Sequence, residues 1–146
     1  MKLDRKFVSF YYDSMDEFPD YEIDPKKTML LLIDLQNEFC SLEGREAKYF
    51  KETGVWDQWE PYFNRLHNTT IPNSKKLLDF FRENNLPVSF GRIACLREDG
   101  EDRSPVQKSE GWNGILLPVD SWAAQMVDEL EPRKNEIVVN KTTDSV

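Results

Sequence analysis

Imidazole and thiol groups are scarce in this sequence. Its 146 residues include one histidine, His67, and two cysteines, Cys40 and Cys95. The single imidazole argues strongly against a zinc site built on histidines and against a Ser-His-Asp hydrolase. Two cysteines without any sign of secretion predict free thiols rather than a disulfide.

Long apolar runs are also absent. The longest, residues 29–33 (MLLLI), stops at Asp34 and is far shorter than the roughly 20 residues of a membrane helix. The first residues, MKLDRK, lead into acidic and aromatic positions instead of the apolar core of a signal peptide. We therefore expect a cytoplasmic protein that has no membrane partner.

Positive charge is in the minority. Nineteen Lys and Arg residues stand against 27 Asp and Glu residues, which leaves a net charge of -8, and no run of basic residues exceeds two. A surface that follows nucleic-acid phosphates is not expected from this pattern. The length and the 39% of hydrophobic residues fit one globular domain.

Residues 1–27 differ from the rest of the chain. They combine acids with scattered aromatic residues, and Pro19 and Pro25 interrupt any regular pattern. We interpret them as an N-terminal arm that packs on a neighbouring surface. The aromatic residues are Tyr11, Tyr12, Phe18 and Tyr21.

The remaining residues alternate between strand and helix patterns. Continuous apolar segments predict strands at 28–33, 86–93 and 136–140. Apolar residues spaced by three and four predict a helix over 56–67 with Pro61 in its first turn, and Ser74 and Ser121 are predicted to cap helices ending near 84–85 and 130. This order predicts an α/β fold with a doubly wound, mostly parallel sheet.

The predicted sheet is incomplete at the C-terminal end of the sequence. The chain stops six residues after the third predicted strand, and no helix follows to cover that strand. A sheet of three strands leaves an edge and an apolar face uncovered. We therefore expect either that another chain completes the fold or that the sequence is part of a longer protein.

Two charged residues stand at the ends of predicted strands. Asp34 follows the first strand and Lys141 follows the third. Ligands of parallel sheets bind outside the carboxyl ends of the strands, so an acid and an amine meeting there could position a proton acceptor beside a cation. The alternative is that each is an ordinary solvated charge.

Three segments resemble the isochorismatase-like cysteine hydrolases. They are residues 29–39 (MLLLIDLQNEF), residues 71–73 (IPN) with 85–88 (NLPV), and residues 128–145 (DELEPRKNEIVVNKTTDS). The resemblance covers residues 28–146 and implies a Rossmann-like fold. These residues would then be the N-terminal portion of a single hydrolase domain.

The resemblance also implies roles for particular residues. Asp34 would be the general base that takes a proton from a cysteine, and Lys141 would stabilise the thiolate or the developing charge. Phe39 would line the substrate pocket, with ordinary core packing as the alternative. Trp112 would form a pocket wall, with surface packing in a loop as the alternative.

The sequence departs from the family in its nucleophile. In the family the reactive cysteine follows the lysine, after the next strand, and this sequence ends at Val146 with no cysteine beyond Cys95. Cys95 follows the second strand and could serve as a rearranged nucleophile, but Ala94 and Leu96 beside it supply no activating charge. We expect the nucleophile to lie beyond residue 146.

Some relatives hold a metal through Asp and His in the loop after the second strand. Residues 95–114 contain Asp99 and Asp102 but no histidine, so we expect neither a metal nor another cofactor. Residues 97–130 look nearest to the N-carbamoylsarcosine and ureido-type amidohydrolases. The resemblance therefore implies a small amide or ureide as substrate and, by analogy, a homo-oligomer.

Other interpretations remain open. The chain could be an inactive relative that serves as a binding or structural partner. A receiver-type signalling domain also places an acid and a lysine at strand ends, but it needs a second acid beside the first, and Ile33 and Leu35 flank Asp34. A haloacid-dehalogenase-like phosphatase lacks its second acid in the same way.

Overall fold

The computed structural model describes residues 9–12, 22–109 and 116–144 of the chain. The strands are β1 (Leu30–Ile33), β2 (Val88–Ile93) and β3 (Ile137–Lys141). The helices are α1 (Asn37–Cys40), α2 (Arg45–Glu52), α3 (Trp56–Arg65), α4 (Ile71–Glu83) and α5 (Pro105–Lys108). Single 3-10 turns cover Phe10–Tyr12, Pro25–Lys27, Trp122–Ala124 and Asp128–Leu130.

The three strands form one parallel sheet with β2 in the centre. Leu32 of β1 lies beside Phe90 of β2, which in turn lies beside Val138 of β3. The predicted strands are confirmed, with ends that shift by one or two residues. The α/β fold with a parallel sheet, expected from the alternation of apolar segments and amphipathic helices, is confirmed as well.

One face of the sheet carries the main hydrophobic core. Leu32, Val88 and Phe90 point from the strands towards α3 and α4. The segment from α3 to α4 supplies four buried side chains to this core, which are Phe63, Leu66, Ile71 and Leu78. Burial of this apolar surface holds the helices on the sheet and fixes the strand register.

The helical segment before β2 differs from the prediction. A π-helical turn, Leu66–Thr70, joins α3 directly to α4, so Ser74 lies inside a helix and caps none. Pro61 is the sixth residue of α3 and not part of its first turn. Pro72 offers no backbone N–H and its ring crowds the preceding turn, which explains why the helix widens at this point instead of stopping.

The segment before β3 also differs from the prediction. Ser121 caps a turn, as expected, by accepting a hydrogen bond from the Ala124 N–H, but two 3-10 turns replace the single helix over 122–130. Between these turns Gln125 O accepts from Asn37 N at 2.8 Å, and Val127 N donates to Leu35 O at 3.0 Å. Pairing with the segment after β1 thus replaces helical hydrogen bonds here.

Other expectations concern residues outside the described ranges. The predicted N-terminal arm has only residues 9–12 and 22–27 within them, and Phe10 and Tyr11 are exposed there. Phe18 and Tyr21 fall outside, so the packing of the arm stays a prediction.

In the part of the chain that the structure describes, no helix has the length and apolar character needed to cross a membrane.

Candidate active site

Asp34 stands where β1 ends and the chain turns towards α1. Its backbone φ is 57°, in the left-handed region that few residues other than glycine adopt, and its N–H donates to Gly91 O at 2.9 Å. The pairing with β2 therefore holds Asp34 in a conformation that is uncommon for residues other than glycine, asparagine and aspartate. Such conformations persist where the surrounding structure fixes them, and they concentrate at functional sites.

Lys141 is the last residue of β3, and its side chain is almost completely buried, with 1% exposed. Its Nζ donates to Asp34 Oδ2 at 2.8 Å and to the Asp144 backbone oxygen at 3.0 Å. The acid and the amine, 107 positions apart in sequence, thus meet at the carboxyl ends of β1 and β3. This is the arrangement that the sequence predicted from their positions after two buried strands.

The second carboxylate oxygen of Asp34 has no such partner. Oδ1 is buried, and it accepts no hydrogen bond from any residue in the described ranges. A buried acceptor without a donor costs free energy, and an explanation for each one is needed in a folded protein. Because Lys141 occupies Oδ2, the open Oδ1 is the atom through which Asp34 could accept a proton.

Gln36, two residues after Asp34, is a site residue that the sequence analysis did not single out. Its side chain is fully buried, and its Nε2 donates to the backbone oxygens of Ile93 at 2.8 Å and Ala124 at 3.0 Å. Its Oε1 accepts from Ile93 N at 2.8 Å. Ile93 pairs in register with Lys141, so Gln36 connects the turn that carries Asp34 to the strand end that carries Lys141.

One feature of the sequence could have indicated Gln36. Its amide side chain follows closely after an apolar strand, in a part of the chain from which water is excluded. A buried amide must find partners, and the nearest are the backbone groups of β2 that lack strand partners. Sequence spacing alone does not reveal those groups. They become visible only when β2 is seen to end beside the turn after β1.

Neither cysteine is set up as a nucleophile. Cys40 is buried, and burial together with the nearby Asp34 charge raises the pKa of its thiol to about 12. Burial also raises the pKa of Cys95, whose charged neighbours include Asp102 and Arg103. A nucleophilic cysteine needs a lowered pKa, so the surroundings of both thiols oppose their activation.

Asp99 and Asp102, the acids considered for a metal, instead bind groups within their own loop. Arg97 pairs with Asp99 and lowers its pKa to about 2. Asp102 accepts from Leu96 N at 2.7 Å, which lowers its pKa as well. In the described ranges no three His, Cys, Asp or Glu side chains lie close enough together to hold a metal ion.

A family model described as an isochorismatase domain matches residues 28–146. The chain belongs to this family. The matched residues contain Asp34, Gln36 and Lys141 together with both cysteines. No curated protein matches the isochorismatase-domain chain at a significant level.

Solved structures of related proteins share its fold. A cysteine hydrolase from Pseudomonas syringae pv. phaseolicola 1448A aligns with a TM-score of 0.60 and 22% identity, over 84% of this chain and 49% of that one. An isochorismatase family protein from Desulfovibrio vulgaris subsp. vulgaris str. Hildenborough aligns with a TM-score of 0.50 and 24% identity, over 78% and 52%. N-carbamoylsarcosine amidase from Thermoplasma acidophilum aligns with a TM-score of 0.48 and 20% identity, over 78% and 51%. The isochorismatase-domain chain thus spans about half the length of the solved structures it matches.

The two expected pocket residues of this isochorismatase domain have different outcomes. Phe39 is partly buried and packs against both hydrophobic clusters of the protein, and its backbone oxygen accepts from the Tyr62 hydroxyl at 3.4 Å. Core packing of Phe39 is thus present, and contact with a substrate stays a prediction. Trp112 lies outside the described residues.

Proposed function

We propose that this chain is part of a cysteine hydrolase that cleaves the carbon–nitrogen bond of a small amide or ureide. The observation that carries the proposal is the Asp34–Lys141 pair, held at 2.8 Å with Asp34 Oδ1 buried and without a donor among the described residues. Family membership supports a hydrolase. The choice of amide or ureide rests on the resemblance of residues 97–130 to ureido-type amidohydrolases.

In the proposed reaction Asp34 is the general base. Its Oδ1 takes the proton of a cysteine thiol, and the thiolate attacks the carbonyl carbon of the substrate. The nitrogen leaves with a proton as an amine or ammonia, which leaves a thioester on the cysteine. Water then hydrolyses the thioester and releases the acid and the free thiol. Lys141, fixed beside Asp34, stabilises the thiolate and the charge that develops on the substrate.

The nucleophile of this reaction is proposed to lie beyond residue 146. Cys40 and Cys95 are both buried, and burial raises the pKa of each thiol. A reacting cysteine must reach Asp34 Oδ1, and the raised pKa values argue against both resident thiols. The coverage of about half of the matched structures is consistent with a cysteine in the other half.

The test compares this chain with the product of its reading frame extended past residue 146 to the next stop codon. Ammonia release from a panel of small amides and ureides is the measurement. We expect activity only in the extended product, and we expect it to disappear when the new cysteine becomes serine. Activity of the 146-residue chain that Cys95→Ser abolishes would overturn the assignment of the nucleophile.

A second candidate function is a noncatalytic binding partner. The specific observation in its favour is that the two cysteines within residues 28–146 are buried and that burial raises the pKa of each thiol. A binding protein with this site would show ligand-dependent thermal stabilisation by small amides without any ammonia release. Turnover by the extended product would exclude this alternative.

A further inference from the structure

Gln107 is a buried amide to which the proposed reaction assigns no role. It belongs to α5, where Ser104 Oγ accepts a hydrogen bond from Gln107 N at 3.3 Å. Val106 beside it is 58% exposed, whereas Gln107 turns inward and is only 1% exposed. Its Nε2 donates to Asp144 Oδ1 at 2.8 Å. This contact joins the loop between β2 and β3 to the residues that follow β3.

The hydrogen bonds of this amide are incomplete. Gln107 Oε1 is buried and has no hydrogen-bond partner among the described residues. The reversed amide would place Oε1 against Asp144 Oδ1, which is also an acceptor, so Nε2 must be the atom that faces the carboxylate. A buried acceptor without a donor costs free energy that an aliphatic side chain of similar size would not. Residues that depart from this rule are expected where function requires them.

Asp144 in turn contacts the active site through its backbone. Its carbonyl oxygen accepts from Lys141 Nζ at 3.0 Å, and the same nitrogen donates to Asp34 Oδ2 at 2.8 Å. A chain of hydrogen bonds therefore runs from Gln107 through Asp144 and Lys141 to Asp34. In the described part of the molecule, the buried side-chain oxygens without a donor are Gln107 Oε1 and Asp34 Oδ1, which belong to the two ends of this chain.

The two acceptors of Lys141 fix the place of its ammonium group. A lysine side chain has several rotatable bonds, so an ammonium with a single acceptor can swing about that contact. With Asp34 Oδ2 and the Asp144 backbone oxygen both in place, the position of Nζ and the direction of its third N–H are set. That third N–H is the one left for the thiolate or the developing charge of the proposed reaction.

We propose that Gln107 is a positioning residue that acts through Asp144 to hold the Lys141 ammonium in place. The effect on turnover rests on the proposed function, whereas the contacts themselves do not. Ser104 N donates to Thr142 O at 2.9 Å, so the loop that carries Gln107 holds the segment after β3 at a second point. A displacement of about 1 Å in a catalytic group can cost about 10²-fold in rate, which is why such support matters.

Nitrogen-15 NMR of the lysine side chains in the 146-residue chain tests the placement without any substrate. Gln107→Leu should leave the Lys141 ammonium beside Asp34 but speed its exchange with water by about three- to tenfold, as expected for the loss of one hydrogen bond. Asp144→Leu should have the same effect, whereas Asp144→Asn keeps an oxygen acceptor and should not. Val106→Ser, on the exposed side of α5, is the matched control and should leave the exchange unchanged.

The Asp144 variants keep the test decisive if Gln107→Leu fails to fold, because Asp144 is exposed. Unchanged exchange of the Lys141 ammonium in Asp144→Leu would overturn the proposal. Equal acceleration by Asp144→Asn and Asp144→Leu would do so as well, since the acceptor that faces Gln107 is kept in the first variant and lost in the second.

Turnover by the extended product measures the consequence for the reaction. We expect Gln107→Leu to lower kcat about tenfold with KM within about twofold, because Lys141 acts on charge that develops after binding. Adding Asp144→Leu should cause no further loss, because both residues act along one path. A rise in KM alone, or losses that multiply in the double variant, would contradict the positioning role. An extended product without any turnover would refute the proposed function, and the exchange measurement alone would then decide whether Gln107 holds Lys141.

Discussion

Strand β3 is held at each end by an ion pair, and the two pairs are built differently. At its amino end Glu136 receives Arg82 Nε at 2.8 Å and Nη2 at 2.7 Å, and Nη2 also donates to Glu131 O. At its carboxyl end Lys141 donates to Asp34 Oδ2, and Asp34 Oδ1 accepts nothing from the described residues. The first pair has both carboxylate oxygens satisfied. The second leaves Asp34 Oδ1 without a donor among the described residues, as the proposed role of Asp34 as a general base requires.

Backbone conformation separates the two pairs in the same way. Asp34 has a positive φ of 57°. Glu136, which is also among the described residues, does not have a positive φ. Both carboxyl side chains keep access to solvent, with 30% of Asp34 and 10% of Glu136 exposed. The carboxylate of the pair at the carboxyl end is thus the more exposed of the two, and it belongs to a residue with a positive φ.

The largest expected effect is on turnover. In the extended product, Asp34→Asn and Lys141→Met should each lower kcat/KM by about 10³-fold, because the proposed base or its cation is lost. Steady-state ammonia release is the measurement. Asp57→Asn, on the exposed surface of α3, is the control and should leave turnover unchanged. Activity within a few-fold of the unmutated enzyme in either site variant would remove the distinction between the two pairs.

Among the predicted effects on stability, we expect the largest from the ion pair between Arg82 and Glu136. Arg82→Met leaves Glu136 Oε1 and Glu131 O without their donor, and leaves Glu136 Oε2 with Arg133 N alone, so we expect the free energy of unfolding to fall by about 3 kcal/mol. Urea denaturation followed by circular dichroism measures this change. The control is Arg65→Met on the exposed side of α3, with an expected change within about 0.5 kcal/mol. Equal effects of the two substitutions would show that the pair at the amino end contributes little.

We expect the next largest effect on stability from Gln36, whose side-chain amide connects the turn that carries Asp34 to the sheet. Gln36→Leu leaves Ile93 N and Ile93 O without their side-chain partner and Ala124 O with Arg92 Nη1 alone, which should cost about 2 kcal/mol of stability. Gln58→Leu, an exposed position on α3, should be close to neutral in the same urea titration. If Gln36→Leu is equally neutral, the turn that carries Asp34 does not depend on this side chain.

The smallest effect concerns pH. The hydrogen bond from Arg82 lowers the pKa of Glu136 below its usual value near 4.5. A carboxyl with a lowered folded-state pKa stabilises the protein above its unfolded pKa and loses that contribution as the pH falls through the folded value. The stability difference between the unmutated chain and Glu136→Gln should therefore be constant near neutral pH and shrink below about pH 4.5. A difference that does not change with pH would contradict this assignment.

The parts of the fold that sequence could predict are those governed by local pattern. Buried apolar runs located all three strands, and strand ends brought Asp34 and Lys141 together because parallel strands end at one edge. The unbroken passage from α3 to α4 was not predictable in this way. Proline and serine signals at 72 and 74 favoured a helix start, whereas core packing of Leu66 and Ile71 continues the helix through them.

Side-chain partners distant in sequence lie beyond local patterns. In the sequence, Gln36 and Arg82 are polar residues without special spacing. Their roles depend on backbone groups and carboxylates that only the folded chain brings close to them. The 3-10 turns at 122–124 and 128–130 have the same origin, since hydrogen bonds with residues 35 and 37 replace those of a regular helix. Competition from tertiary pairing is the common physical cause.

The claim that everything else depends on is the direct contact between Lys141 Nζ and the Asp34 carboxylate. Nitrogen-15 NMR of lysine side chains in the 146-residue chain tests it without any substrate. We predict one ammonium signal protected from exchange at neutral pH, lost in Asp34→Asn and unchanged in Asp79→Asn, which breaks the exposed Lys75 pair. A spectrum in which Lys141 exchanges as fast as the exposed lysines would contradict the account.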